Sequence, residues 1–152
     1  MKVVIQRVNS AKVEIDGQVS GEVGRGLLLL VCAMADDESA DADVLIDKIL
    51  KMRTFENPET GKIMDVSVVD LGLEILVVSQ FTLAGTFYKG KRPDFTGAMN
   101  PADAKKSYES FVESIKEKSG LKVETGEFGA NMQVSLENDG PVTYILDSKD
   151  YV

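Results

Sequence analysis

Ser79, Gln80 and Thr82 place three hydrogen-bonding side chains at the end of an otherwise apolar run, Leu73 to Val78. Such groups can position a water or stabilise a developing charge, and the ends of strands on a rigid sheet are common places for a site. Taken alone, the segment reads equally as a strand leaving the core and meeting water. Tyr88-Lys89-Gly90-Lys91-Arg92-Pro93 is the densest basic stretch of the chain. A glycine-bearing loop with three cations can grip phosphates, although alone it reads as an ordinary solvated loop. Asn138-Asp139-Gly140-Pro141 has the composition of a hairpin turn. A Gly-Pro pair between strands can also present rigid backbone carbonyls to a ligand.

Other chemistries are excluded by what is missing. The chain has no histidine and one cysteine, Cys32. Ser-His-Asp and Cys-His catalysis, an internal disulfide and a cysteine-based zinc site all fall away. The work is left to hydroxyls, amides, carboxylates, lysine, the backbone or the substrate itself. Gly85 to Lys91 has the Gly-x4-Gly-Lys spacing of a phosphate-binding loop, but Arg92 stands where Ser or Thr would bind magnesium and Pro93 prevents a helix from opening. Asp36, Asp37, Glu38, Asp41 and Asp43 lack the central glycine and the distant glutamate of a calcium loop. Cys32 sits in an apolar run and reads as a buried packing residue. No cofactor and no metal site is expected.

The elements that must position these residues follow from periodicity. The 152 residues, 43% hydrophobic and 28% charged, suit one globular domain spanning 1–152. Val3 to Val8 is strand-like, and Ala11, Val13 and Ile15 alternate with polar residues as in a half-buried strand. Asp16-Gly17 is a tight-turn dipeptide leading to a strand at Gln18-Val19. Leu27 to Cys32 reads as a strand buried on both faces. Leu45, Ile49 and Met52 form one helical stripe after an acidic start. Asn100 caps a second helix, Pro101 opens it, Ala104, Tyr108, Phe111, Val112 and Ile115 make its apolar face, and Gly120 ends it. Met132, Val134 and Leu136 alternate, and Val142 to Leu146 is a last strand. The predicted fold is mixed α/β: barrel-like, mostly antiparallel β-sheets flanked by two helices.

The charge balance is 17 basic against 25 acidic residues, or −8. That argues against coating nucleic acid, though not against a local basic patch. The longest apolar run, Leu27 to Ala35, is far short of the roughly 20 residues of a membrane helix. No targeting signal is visible, so a cytoplasmic location and no membrane partner are expected.

Together these features resemble the D-aminoacyl-tRNA deacylase family. Ser79-Gln80-Phe81-Thr82 is similar to its first signature and Asn138-Asp139-Gly140-Pro141-Val142-Thr143 to its second. The likeness runs the whole chain, including Val4 to Val8, Gly24-Arg25-Gly26-Leu27, Lys89 to Pro93 and Phe128-Gly129-Ala130-Asn131-Met132. The resemblance implies a homodimer that hydrolyses the ester between a D-amino acid, or glycine mischarged on tRNA-Ala, and the 3′ end of tRNA. Such chiral proofreading belongs to translation quality control. It assigns Thr82 and Gln80 to catalysis, and Ser79, Phe81, Met132, Gly140 and Pro141 to the substrate. Lys89, Lys91 and Arg92 are assigned to tRNA. In this family the Gly-Pro pair is cis and enters the partner's active site. Two positions depart from the family pattern: Thr86-Phe87-Tyr88 replaces a segment often polar or acidic with an arginine, and Asn131 stands where Asp is frequent.

An aminoacyl ester is already activated, so a histidine is not required if the ribose 2′-hydroxyl helps to place or activate water. Thr82 is the one hydroxyl to test as a nucleophile, and without a nearby base it is a poor one. The substrate-assisted route is therefore favoured. Two other readings remain: a non-catalytic nucleic-acid-binding accessory protein of the same fold, and a hydrolase of small esters unrelated to RNA.

Overall fold

The computed structural model describes residues 1–88 and 90–152. Lys89, one of the residues assigned to tRNA, lies outside the described residues. The elements run β1 (Lys2–Ile15), β2 (Gln18–Val23), β3 (Gly26–Cys32), α1 (Ser39–Lys51), β4 (Glu74–Ser79), α2 (Pro101–Ser119), β5 (Val123–Thr125) and β6 (Gln133–Asp147). β1 pairs antiparallel with β2, β3 and β6, whereas β3 with β4 and β4 with β5 are parallel. The first half of β1 pairs with β3, from Lys2 opposite Cys32 to Val8 opposite Gly26. Its second half pairs with β2, and β6 runs along the remaining edge. The sheet curls until β5 returns beside β2, where Ser20 Oγ donates to the Thr125 carbonyl at 3.4 Å and Lys122 Nζ to that of Glu22 at 3.1 Å. This is the barrel-like, mainly antiparallel sheet that the periodicity predicts.

Local chemistry explains the joints. Asp16 and Gly17 both take positive φ, 51° and 77°, as a two-residue turn between twisted strands demands. Asn100 Oδ1 accepts from the Asp103 amide at 3.1 Å, Pro101 opens α2, and Gly120 closes it at φ 64°. β3 is buried on both faces because its alternating side chains feed two cores. Leu27, Leu29 and Val31 pack with Ile75 and Val77 of β4 against Leu45 and Ile49 of α1 and Phe111 and Ile115 of α2. Leu28, Leu76 and Val78 point the other way, to Val8, Val13 and Val23 inside the curl.

One expectation fails. Asn138 to Pro141 does not turn the chain. β6 runs straight through it, because pairing with β1 resumes on both sides and the irregularity is absorbed by register shifts near Val8. The apolar run, by contrast, ends as a strand at Ser79 as expected, and Phe81–Ala84 then closes into a 3₁₀ turn. The short strand β5 has no periodic signal at all.

One polar cluster sits in the packed end of the fold. The Met1 ammonium is held by Asp37 and, at 2.5 Å, by Ser148 Oγ, which also bonds Asp41. Lys149 Nζ lies 3.1 Å from the same Asp41 carboxylate. Burial alone would raise the Asp41 pKa, but the Ser148 hydroxyl, the Glu38 amide, Lys149 and the Met1 ammonium together pull it down to about 2 from 3.8. Its folded pKa is depressed, so its stabilisation is present above 3.8 and is lost as pH falls toward about 2. Asp41→Asn is therefore expected to destabilise the protein at neutral pH, with the gap from wild type closing across that acid interval in urea melts.

Gly26 marks the tightest backbone approach. A Cβ there would overlap the Glu74 carbonyl oxygen, whereas at Gly24 the nearest atom would be Glu74 Oε2 at 3.9 Å. Gly26→Ala is expected to cost about 2 kcal/mol or more in urea denaturation, and Gly24→Ala well under about 1 kcal/mol.

Candidate active site

β4 ends at Ser79 on the wall of a cleft of about 690 Å³. Val78, Ser79, Gln80 and Phe81 line it from the sheet. Phe95, Ala98 and Met99 line it from the preceding loop, and Asn100, Pro101 and Ala104 from the start of α2. Phe128 to Met132 and Val134 complete it. Among the described residues its polar side chains are Ser79, Gln80, Asn100 and Asn131, and none of its lining side chains is ionisable. A larger, more open groove of about 850 Å³ runs along α1. It holds none of the described residues assigned to catalysis, substrate or tRNA, and its charges largely pair with one another, Lys51 with Asp47 at 2.6 Å and Lys118 with Asp43 at 2.7 Å.

The wall is rigid for stated reasons. The Gln80 amide donates to the Val31 carbonyl at 2.8 Å, which extends the β3–β4 pairing one residue past the strand. The Tyr108 hydroxyl on α2 donates to the Val77 carbonyl at 2.9 Å, and burial pushes its pKa up to about 12, so it stays a neutral brace. The 3₁₀ turn is closed by the Leu83 amide on the Gln80 carbonyl at 3.3 Å and the Gly85 amide on that of Thr82 at 3.0 Å. The amides of Phe81 and Thr82 open this turn and take no main-chain acceptor among the described residues. Gly85 packs so closely that a Cβ would meet Phe95 Cε1 at 2.9 Å. The Phe81 ring, 59% exposed, stands edge-on to Phe95 with centroids 5.0 Å apart. Cys32 is buried with Sγ 3.5 Å from the Phe81 carbonyl oxygen, and burial raises its thiol pKa, in keeping with a packing role.

Ser79, Gln80, Phe81 and Met132 thus come together in one cleft. Thr82 is not on its lining, but its Oγ1 accepts from Gln80 Nε2 at 2.5 Å. Gly140 and Pro141 are elsewhere, exposed on β6 with a cis bond between them. Asn138 Nδ2 braces that corner by donating to the carbonyls of Arg7 at 2.9 Å and Val142 at 3.2 Å. Arg7 Nε reaches the Asp139 carbonyl at 3.2 Å and its carboxylate at 2.9 Å. Gly140 lies on the order of 20 Å along β6 from the strand's start beside the cleft, at about 3.3 Å per residue. Lys91 and Arg92 are exposed on a loop whose base is the reciprocal pair between Thr86 and Asp94, at 2.9 and 2.8 Å.

Phe95, Ala98 and Met99 are cleft residues that motif reasoning passes over. They sit in an irregular segment without helical or strand period. The available signal was two large apolar residues, Phe95 and Met99, in a stretch with no element of its own to bury them.

Residues 4–147 match the family described as D-Tyr-tRNA(Tyr) deacylase. The D-aminoacyl-tRNA deacylase of Thermosipho melanesiensis is 50% identical over 98% of this chain and 98% of its own. That of Clostridioides difficile is 51% identical over 97% of each, and that of Persephonella marina 52% over 98% and 99%. Among solved structures, one described as c-Myc DNA Unwinding Element Binding Protein superposes with TM-score 0.91 at 41% identity, covering 97% of this chain and 98% of that one. Another, described as a probable eukaryotic D-amino acid tRNA deacylase, shares the fold with TM-score 0.83 at 19% identity, over 96% and 98%.

Proposed function

The chain belongs to the D-Tyr-tRNA(Tyr) deacylase family, and from that premise we propose that its cleft hydrolyses the ester joining a D-amino acid to the 3′-terminal adenosine of tRNA. The observation that carries the mechanism is the cleft's content: neutral polar groups and apolar walls, with no ionisable side chain among the described residues. A site without an acid or a base works by placement and by amide donors. Water, oriented by the neighbouring ribose 2′-hydroxyl, attacks the ester carbonyl. The Phe81 amide, which has no main-chain acceptor among the described residues, stabilises the oxyanion. The C–O bond to the ribose 3′-oxygen then breaks, and that oxygen takes the proton given up by the water. Products are the free D-amino acid and tRNA. Thr82 Oγ1 already accepts a hydrogen bond from Gln80, and an amide is no base, so Thr82 orders the turn instead of attacking.

Chirality follows from steric exclusion in a homodimer. Gly140-Pro141 lies too far along β6 to serve its own cleft, so the corner is offered to a second copy. A backbone wedge leaves room at Cα for one configuration and collides with a side chain in the other. Glycine, including glycine mischarged on tRNA-Ala, passes because it has no side chain. The exposed Leu136 and Ile145 on the same strand give this face apolar surface to bury against the second copy. Lys89, Lys91 and Arg92 hold phosphates of the acceptor end. No helix among the described residues is long and apolar enough to cross a membrane, and work on tRNA fits the cytoplasm.

Likeness to the 41%-identical c-Myc DNA Unwinding Element Binding Protein favours a second reading, a nucleic-acid-binding protein without catalysis. A net charge of −8 weighs against broad DNA binding. Incubation with D-Tyr-tRNA and L-Tyr-tRNA decides between them: the enzyme cleaves the first and spares the second. A hydrolase of small esters would leave the basic loop idle.

Thr82→Val is expected to keep turnover of D-aminoacyl-tRNA within about tenfold of wild type, well short of the 10⁴-fold or greater loss that removing a true nucleophile brings. A loss of that size with unchanged KM would restore Thr82 as the attacking group. The shared site has its own test. Ala98→Trp fills the cleft and Gly140→Val spoils the corner, so each homodimer is expected to be inactive. Reassembling the two together should recover about a quarter of the activity through mixed dimers. No recovery, with mixed dimers demonstrated by mass, rules out a corner acting in the partner.

A further inference from the structure

The loop between Thr86 and Asp94 carries two large rings that no core claims. Phe87 is 62% exposed and Tyr88 92% exposed. Rings left in water at that level, side by side, call for a ligand. Next to them Lys91 and Arg92 are exposed and make no ion pair among the described residues. The nearby acid, Asp94, is exposed at the base of the loop, where the Thr96 amide donates to its Oδ1 at 2.9 Å and holds its pKa below the ordinary value. Beyond that base the tip gathers two exposed rings and two exposed cations on a protein of net charge −8. The arm leads directly into the cleft through Phe95, whose ring stands against Phe81 at 5.0 Å.

We propose that Phe87 and Tyr88 form a stacking platform for the unpaired bases just upstream of the terminal adenosine, with Lys91 and Arg92 on their phosphates. The inference rests on the reading of the cleft as an aminoacyl-tRNA esterase and names where the RNA leaves it. Aromatic rings beside cations are the usual equipment for unpaired nucleic acid, because every base has a face to stack and no particular sequence is demanded. That suits an enzyme acting on many tRNAs. Lone cations would suffice for a duplex backbone, and a purely apolar patch would suit a protein partner. The combination selects single-stranded nucleic acid.

The test uses the Phe87→Ser, Tyr88→Ser double variant and two substrates with the same ester, D-tyrosyl-tRNA and D-tyrosyl-adenosine. The rings are exposed, so Tm should not move. KM for the tRNA is expected to rise about tenfold at constant kcat, within the value of one base stacked on one ring. The adenosine substrate, which has no upstream bases, should be hydrolysed as before, and Tyr88→Trp should retain the wild-type KM for tRNA. An unchanged tRNA KM, or an equal change on both substrates, overturns the platform. A change in sedimentation coefficient also overturns it, by assigning the rings to a contact between copies. If the wild type hydrolyses neither substrate, the esterase reading fails. The platform is then judged by binding of a single-stranded RNA ending in CCA, and stands only if the double variant weakens it.

Discussion

β3 and β4 lie side by side in parallel, and burial on both faces fixes them there. Each strand sends alternate side chains into a different core, one under the helices and one inside the curl of the sheet. Neither strand can slip by one residue without moving its apolar set to the wrong side, so the register is set twice over. Gly26, against the Glu74 carbonyl, leaves no slack at the start of that pairing. The far end delivers Ser79 and Gln80 to the cleft wall. The Gln80 amide on Val31 and the Tyr108 hydroxyl on Val77 then carry that rigidity to the last residue before the 3₁₀ turn. Groups held this way can orient a substrate without a charge of their own.

A neutral cleft has a consequence for selectivity. A general base beside the ester would act on whichever enantiomer arrived, and discrimination would have to come from binding alone. With placement as the only source of rate, a substrate that cannot seat cannot react. On the proposed reading, chirality and catalysis are then one property, set by which ester fits against the Phe81 amide. The apolar lining of Phe81, Met132 and Val134 also thins the water around that amide, which strengthens its hold on a developing oxyanion.

Much of this was legible in the residues, because it depends on local chemistry. The caps of α2 at Asn100, Pro101 and Gly120, the Asp16-Gly17 turn and the double burial of Leu27 to Cys32 all stand where local rules put them. What local rules miss is pairing at a distance. Asn138 to Pro141 has the composition of a turn, yet β1 offers a partner on both sides of it, so the strand resumes after a bulge. The parallel neighbours of β4 and the three residues of β5 have no periodic mark. The cleft shows the same division. Ser79, Gln80 and Phe81 were visible as polar and aromatic residues closing an apolar run. Phe95 and Met99 were hidden in an irregular segment whose position depends on the Phe81–Phe95 contact and on the start of α2.

The bulge in β6 separates the two parts of the strand to which the proposed reading gives different places. Near its start, Met132 and Val134 help to close the chain's own cleft. Some seven residues on, the register shifts opposite Val8 release the chain from regular pairing, and the corner stands clear of the sheet. Asn138 and Arg7 tie that corner back to β1 without covering it. A released but braced piece of main chain has the properties of a probe for another surface: fixed in shape and exposed. In the proposed homodimer, what one copy offers the other must offer in return. On that reading two corners and two clefts complete each other, and a site that needs its neighbour has a simple physical guard against hydrolysis by unassembled chains.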